Sequence, residues 1–214
     1  MKTDDLVDML STNLDAVDWR GVSRRLLSAA ALGAIAALAG MMLLFGPRTD
    51  ISDLRAWIFL AVKFAFAGAL VAISLAYLVR VAHPGGEQRV SLALVVLPFA
   101  AALVVLVVTL VLAPPSAWQA MIFGEHWLLC ISCIPLNAIF PFAAIIFAMR
   151  EFALPTNLTR AGALAGLAAG SISAVVYALH CTDDSLAFIA LWYGLTIALC
   201  TVIGALLGPK LLRW

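Results

Sequence analysis

Charge is what this sequence has least of. Only 12% of its 214 residues are Asp, Glu, Lys or Arg, against about 25% in an ordinary soluble domain. Hydrophobic residues make up 64%, and the mean hydropathy is +1.08. A water-soluble globule, a disordered chain and a nucleic-acid binder are all excluded by that balance. Thirteen Lys and Arg stand against twelve Asp and Glu, so the net charge of +1 says nothing about partners. Also missing are a nucleotide-binding loop, an H-E-x-x-H zinc motif and any pair of carboxylates inside an apolar run. No stretch is left over for a soluble catalytic domain. The chain reads as a polytopic membrane protein.

A membrane helix needs roughly 20 mostly apolar residues, and six such runs are present: Leu26–Phe45, Ala56–Val79, Val90–Leu112, Trp127–Met149, Ala161–His180 and Leu186–Leu207. Breakers separate them, namely Gly46-Pro47, His83-Pro84-Gly85-Gly86, Pro114-Pro115 and Pro155. The first run is longer than the roughly 7–15 residues of a cleavable signal's apolar core, and it follows an acidic tail. The expected fold is an all-α membrane protein, a six-helix transmembrane bundle at 26–214 behind a short cytoplasmic amphipathic helix at 1–25. Lys2, Arg20, Arg24, Arg25, Arg80, Arg89, Arg150, Arg160, Lys210 and Arg213 fall on one side of such a bundle. Arg48 and Arg55 fall on the other, and the connections at Ala113–His126 and around Cys181 have no Lys or Arg. The positive-inside rule then puts both termini in the cytoplasm.

In the tail, Leu6, Met9, Leu10, Leu14 and Val17 share one helical stripe. Thr3 with Asp4 and Asp5 suits a helix start. Asp4, Asp5, Asp8 and Asp15 make the opposite face acidic. A helix that rests on lipid is usually rich in Lys and Arg, whereas this one fits a groove on a basic partner. A partner-binding helix is therefore expected, with Arg20, Arg24 and Arg25 at the lipid headgroups.

The remaining chemistry gathers at the opposite end. The fourth run opens with His126, Cys130 and Cys133, and the fifth ends at His180-Cys181-Thr182-Asp183-Asp184. On a helix, Cys130 and Cys133 are neighbours with Cβ atoms about 5–6 Å apart. Cys130, Cys133, Cys181, His126 and His180 at one depth form a candidate set for a sensed metal ion, under copper, zinc, cadmium or chromium-type stress, with thiolate and imidazole best suited to copper(I) or zinc. The same thiols could form a disulfide in an oxidising periplasm. Cys in apolar helices is common, so each cysteine alone is weak evidence. Cys200, deeper in the last run, reads as a small hydrophobe.

Other features read as architecture. Gly162, Gly166 and Gly170 form a G-x-x-x-G ridge for close helix approach. Pro135 and Pro141 predict a kink in the fourth run, with freed carbonyls satisfied by neighbouring helices or by Asn137. Lys63, inside the second run, is either a functional group or a side chain snorkelling to the nearby interface.

Several segments resemble a known family. They are Thr3-Asp4-Asp5-Leu6-Val7-Asp8-Met9-Leu10, Leu44-Phe45-Gly46-Pro47-Arg48, Cys130 with Ile134-Pro135-Leu136, Tyr177-Ala178-Leu179-His180-Cys181-Thr182-Asp183-Asp184-Ser185, Leu191-Trp192-Tyr193-Gly194 and Leu211-Leu212-Arg213-Trp214. Together they resemble the NrsF-type anti-sigma factors, six-span inner-membrane proteins of proteobacteria. The resemblance implies a cytoplasmic segment that holds an extracytoplasmic-function sigma factor. It also implies two outward cysteines needed for a stress response to heavy metals or oxidants, here Cys130 and Cys181. Cys133 is not part of that pattern.

Two rival classes need different features. A quinone-linked thiol-disulfide oxidoreductase needs accessible cysteine pairs, usually two, in outer loops, and only Cys130 and Cys133 are a local pair. A small transporter needs polar residues across the midplane, where only Asn137, Lys63 and Thr109 stand. The expectation is a regulator and not an enzyme, with no required cofactor and no direct nucleic-acid contact.

Overall fold

The computed structural model describes residues 19–50, 52–83, 86 and 91–213. Leu6, Met9, Leu10, Leu14, Val17, Asp5 and Asp8, the expected partner-binding residues, lie outside the described residues. Among the described residues six helices are long and apolar enough to cross a membrane, as the six apolar runs predict. The first three are α1 (Trp19–Leu44), α2 (Leu54–Val81) and α3 (Leu92–Leu112). Asp53 starts α2 by accepting a hydrogen bond from the Arg55 N–H at 3.0 Å. Arg25 belongs to α1, and its guanidinium stands 4.3 Å over the ring of Phe152.

The expected loop at Ala113–His126 is largely helical. A 3-10 turn at Pro115–Ala117 leads into α4 (Trp118–Phe123), which stops at Gly124 with φ +55°. The fourth span is then broken in two, α5 (Trp127–Asn137) and α6 (Ile139–Phe152), meeting at Ala138 between Pro135 and Pro141. The two prolines free the carbonyls of Ile131 and Asn137. The donor that a neighbouring helix brings to the break, Ser173 Oγ, goes instead to the Ile134 carbonyl at 2.7 Å, which also accepts from the Ala138 N–H. Asn137 does not fill the role expected of it: its buried Nδ2 has no partner. The fifth span is α7 (Leu158–Ala178), capped by Asn157 through the Arg160 N–H at 2.9 Å. It ends before His180, which therefore sits in a connection. The sixth begins as α8 (Leu186–Phe188), passes through a π-helical turn at Ile189–Tyr193, and continues as α9 (Gly194–Leu211).

Burial identifies the axis of the bundle. Within its most apolar window α7 is 89% buried, while that of α3 is 6% buried. The reason is side-chain size: Ala, Gly and Ser dominate α7, so neighbours can close around it, whereas α3 carries Leu and Val that suit lipid contact. Helices α1, α2, α5, α6 and α9 all pack on α7. The glycine ridge faces α9, where a Cβ on Gly162 would run into the Gly204 carbonyl and one on Gly204 into that of Gly162. The last span thus carries its own matching glycines, and the ridge couples α7 to α9 rather than to the fourth span.

Candidate functional site: a thiol cluster beside a buried lysine

At one end of the bundle three connections converge on the start of α5. Lys63, in α2, is completely buried. Its Nζ donates to the Cys181 carbonyl at 2.9 Å and to Asp184 Oδ1 at 3.1 Å. Snorkelling is therefore not its role. An ammonium buried without a counter-charge is costly, and the connection after α7 supplies a carboxylate within reach, so the side chain turns inward.

Asp184 is shared. Its Oδ2 accepts from Arg48 Nη2 at 2.9 Å, and Arg48 also holds Asp50 through two bonds of 2.6 and 2.7 Å. The backbone N–H of Arg48 donates to the Leu179 carbonyl at 2.9 Å. Each group raises the other's preference for its charged form: Arg48 holds Asp50 below the usual carboxylate range, and Asp50, followed by Asp184, pushes the guanidinium further up. The chain from Asp50 through Arg48 and Asp184 to Lys63 ties the α1–α2 connection, α2 and the α7–α8 connection together.

The adjacent Asp183 works on a different element. It accepts from the N–H groups of Glu125 and His126, each at 2.9 Å, at the start of α5. Gly124 permits this approach, because a Cβ there would lie 2.6 Å from Asp183 Oδ1. Ser185 Oγ to the Met121 carbonyl (2.9 Å) and Trp192 Nε1 to the Ile122 carbonyl (2.7 Å) complete the seam with α4.

Against this frame sit the thiols. Cys130, on α5, and Cys181, after α7, are buried in the same core cluster, and Cys181 is held through its carbonyl by Lys63. All four cysteines are free thiols. Burial pushes the Cys181 thiol up, and Lys63 acts against that rise. The ring of Tyr177 lies 6.1 Å from that of Tyr193; the Tyr177 hydroxyl is buried without a hydrogen-bond partner, and that of Tyr193 stands beside the Cys181 thiol.

The five residues read from the sequence divide into two groups. His126, His180 and Cys181 line a cavity of about 240 Å³ together with Arg48. Cys130 lies in the core behind it, and Cys133 is half-buried one turn further along α5. His126 Nδ1 is 3.4 Å from Asp183 Oδ2, and His180 Nδ1 is 3.1 Å from the Gly46 carbonyl, so each imidazole already faces an oxygen of the protein. Among the described residues no three His, Cys, Asp or Glu side chains are arranged to hold a metal ion. Cys200 is elsewhere, packed over Gly170. Sequence reasoning did not single out Asp184, Asp183, Arg48, Tyr177 or Tyr193 for this site. The available signal was Lys63, since a lysine within a span demands a partner, and Asp50, Asp53, Asp183 and Asp184 are among the acidic residues in the connections at that end.

Residues 10–214 match the family described as "Negative regulator of sigma F". The chain belongs to the NrsF family. Among curated NrsF relatives, the "Probable anti-sigma-F factor NrsF" of Azospira oryzae is 34% identical, and the alignment covers the whole of both chains. The "Anti-sigma-F factor NrsF" of Caulobacter vibrioides is 30% identical, again over the whole of both. No solved structure matches. The NrsF match runs through the thiol cluster, the buried lysine and the acidic pair alike.

Proposed function

We propose that this NrsF-family chain is a membrane anti-sigma factor of the bacterial inner membrane. Its cytoplasmic tail, through Leu6, Met9, Leu10, Leu14 and Val17 with Asp5 and Asp8 alongside, sequesters an extracytoplasmic-function sigma factor. The tail releases it when outward-facing cysteines bind a thiophilic metal or are oxidised. The names of the two relatives support the sigma-factor part. The excess of Lys and Arg at the other end supports the orientation.

One observation carries the sensing part: Cys130 and Cys181 come from different elements, and the backbone of Cys181 is gripped by the buried Lys63 of a third. A change at the sulfur of Cys181 thus acts on a peptide group already bonded to α2. Binding of a soft metal across Cys130 and Cys181, or their oxidation to a disulfide, favours whichever arrangement brings the sulfurs together, and the difference in affinity between the two arrangements drives the shift. In this reading Cys133, His126 and His180 join as further ligands only in the metal-bound arrangement, since no three of these side chains are so placed in the resting one. Cys130 is too enclosed for the exposed pairs that a quinone-linked oxidoreductase requires.

The test is a pull-down with the full chain from membranes, with and without cadmium or a thiol oxidant. Recovery of a sigma factor in the resting state and its loss after treatment supports the proposal. Absence of any sigma factor in the resting state contradicts it. Thiol trapping then separates the two triggers, because a disulfide yields to reductant and a bound metal to chelator.

A further inference from the structure

A second cavity lies apart from Cys130 and Cys181, neither of which lines it. It measures about 480 Å³ and runs along the flank of the bundle between α5–α6 and α7–α9. Its wall is apolar, with Ala138, Phe142, Cys200 and Leu207 among the lining residues, and its single charged lining residue is Arg150. Arg150, in the last turn of α6, is exposed and makes no ion pair with any described residue. Leu211 lines the same cavity, so Lys210 and Arg213 stand at that end too.

Dimensions narrow the occupant. From Ala138 to Arg150 the helix rises about 18 Å at 1.5 Å per residue, close to the ~15 Å of one leaflet of a 30 Å hydrocarbon core. The cavity is open along one side, and its wall over that length is almost wholly apolar, so it forms a slot on the lipid-facing flank that suits an alkyl chain. The cations at its mouth call for a negative headgroup, and a guanidinium pairs readily with phosphate. We infer that this slot binds one acyl chain of an anionic phospholipid, with the lipid phosphate held by Arg150. The lipid wedges between the broken fourth span and the α7–α9 glycine seam, and it does so independently of the thiol cluster.

The experiment uses the full chain, extracted in mild detergent, with retained lipid identified by mass spectrometry and affinity measured by returning phosphatidylglycerol or phosphatidylcholine to delipidated protein. Wild type should retain about one phosphatidylglycerol per chain. Arg150→Gln should weaken phosphatidylglycerol about tenfold and leave phosphatidylcholine unchanged. Ala143→Phe, which fills the slot from an exposed lining position, should weaken both lipids. Equal retention of the two lipids by wild type overturns the inference. So does an unchanged phosphatidylglycerol affinity in Arg150→Gln, a neutral isoprenoid found in the slot, or a second copy of the chain cross-linked to Ala143.

Discussion

Lys63 Nζ lies 2.9 Å from the carbonyl oxygen of Cys181 and 3.1 Å from Asp184 Oδ1. One ammonium thus holds both the backbone of a candidate sensor cysteine and the carboxylate that neutralises it. The pair is unequal, because Asp184 also has Arg48 while Lys63 has no other carboxylate among the described residues.

That inequality orders the mutants. Asp184→Leu strands a fully buried ammonium and should destabilise the protein by about 3–5 kcal/mol. Lys63→Met leaves Asp184 paired with Arg48 and should cost clearly less. The double variant Lys63→Met/Asp184→Leu removes both charges and should recover most of the loss. Thermal unfolding in detergent measures all three, and a double variant no better than Asp184→Leu contradicts the pairing.

Gly124→Ala should cost about 1–3 kcal/mol. It forces a side chain onto a residue with φ +55° and 2.6 Å from Asp183 Oδ1, detaching the start of α5 from the α7–α8 connection. Protease sensitivity of the α4–α5 segment, compared with wild type, is the readout. Cleavage at the wild-type rate contradicts the cap.

The glycine seam between α7 and α9 can be told from an ordinary helical glycine. Gly162→Ala and Gly204→Ala each drive a methyl into a facing carbonyl and should lower the melting temperature. Gly68→Ala meets nothing within 4 Å and should be neutral or stabilising by up to about 1 kcal/mol. Equal melting temperatures for all three would contradict the α7–α9 contact.

Replacing Leu6, Leu10 and Leu14 with Asp should abolish sigma-factor binding and leave membrane insertion intact. Each change deletes an apolar contact worth roughly 1.5–3 kcal/mol and charges the docking stripe. Constitutive sigma-factor activity should follow in a reporter strain, and retained sequestration contradicts a helix-in-groove interaction.

The spans were legible because membrane insertion is written in hydropathy, and all six runs coincide with observed helices. Cys130 and Cys181 were legible as one cluster because their positions at the ends of adjacent spans imply a common depth. Three things were not. Helix α4 is too short for a periodic signal, and the π-turn at Ile189–Tyr193 has no compositional mark. The pairing of Lys63 with Asp184 joins residues 121 positions apart, and distance along the chain carries no information about which acidic residue a buried lysine will choose. The glycine ridge was half-read in the same way: Gly162 and Gly166 stood out, but their partners Gly204 and Gly208 became visible only when the helices were packed.

The central claim is that Cys130 and Cys181 carry the signal, and the most direct measurement is reporter output from the sigma factor's promoter across a cadmium titration. Serine keeps the size of each side chain but is a poor ligand for a soft metal and forms no disulfide. Cys130→Ser and Cys181→Ser should each keep the reporter off at all inducer levels, with normal amounts of protein in the membrane. Cys200→Ser should respond like wild type, and Cys133→Ser should respond weakly if it is a third ligand and fully if it only packs. A normal response from the Cys130→Ser/Cys181→Ser double variant would contradict the account.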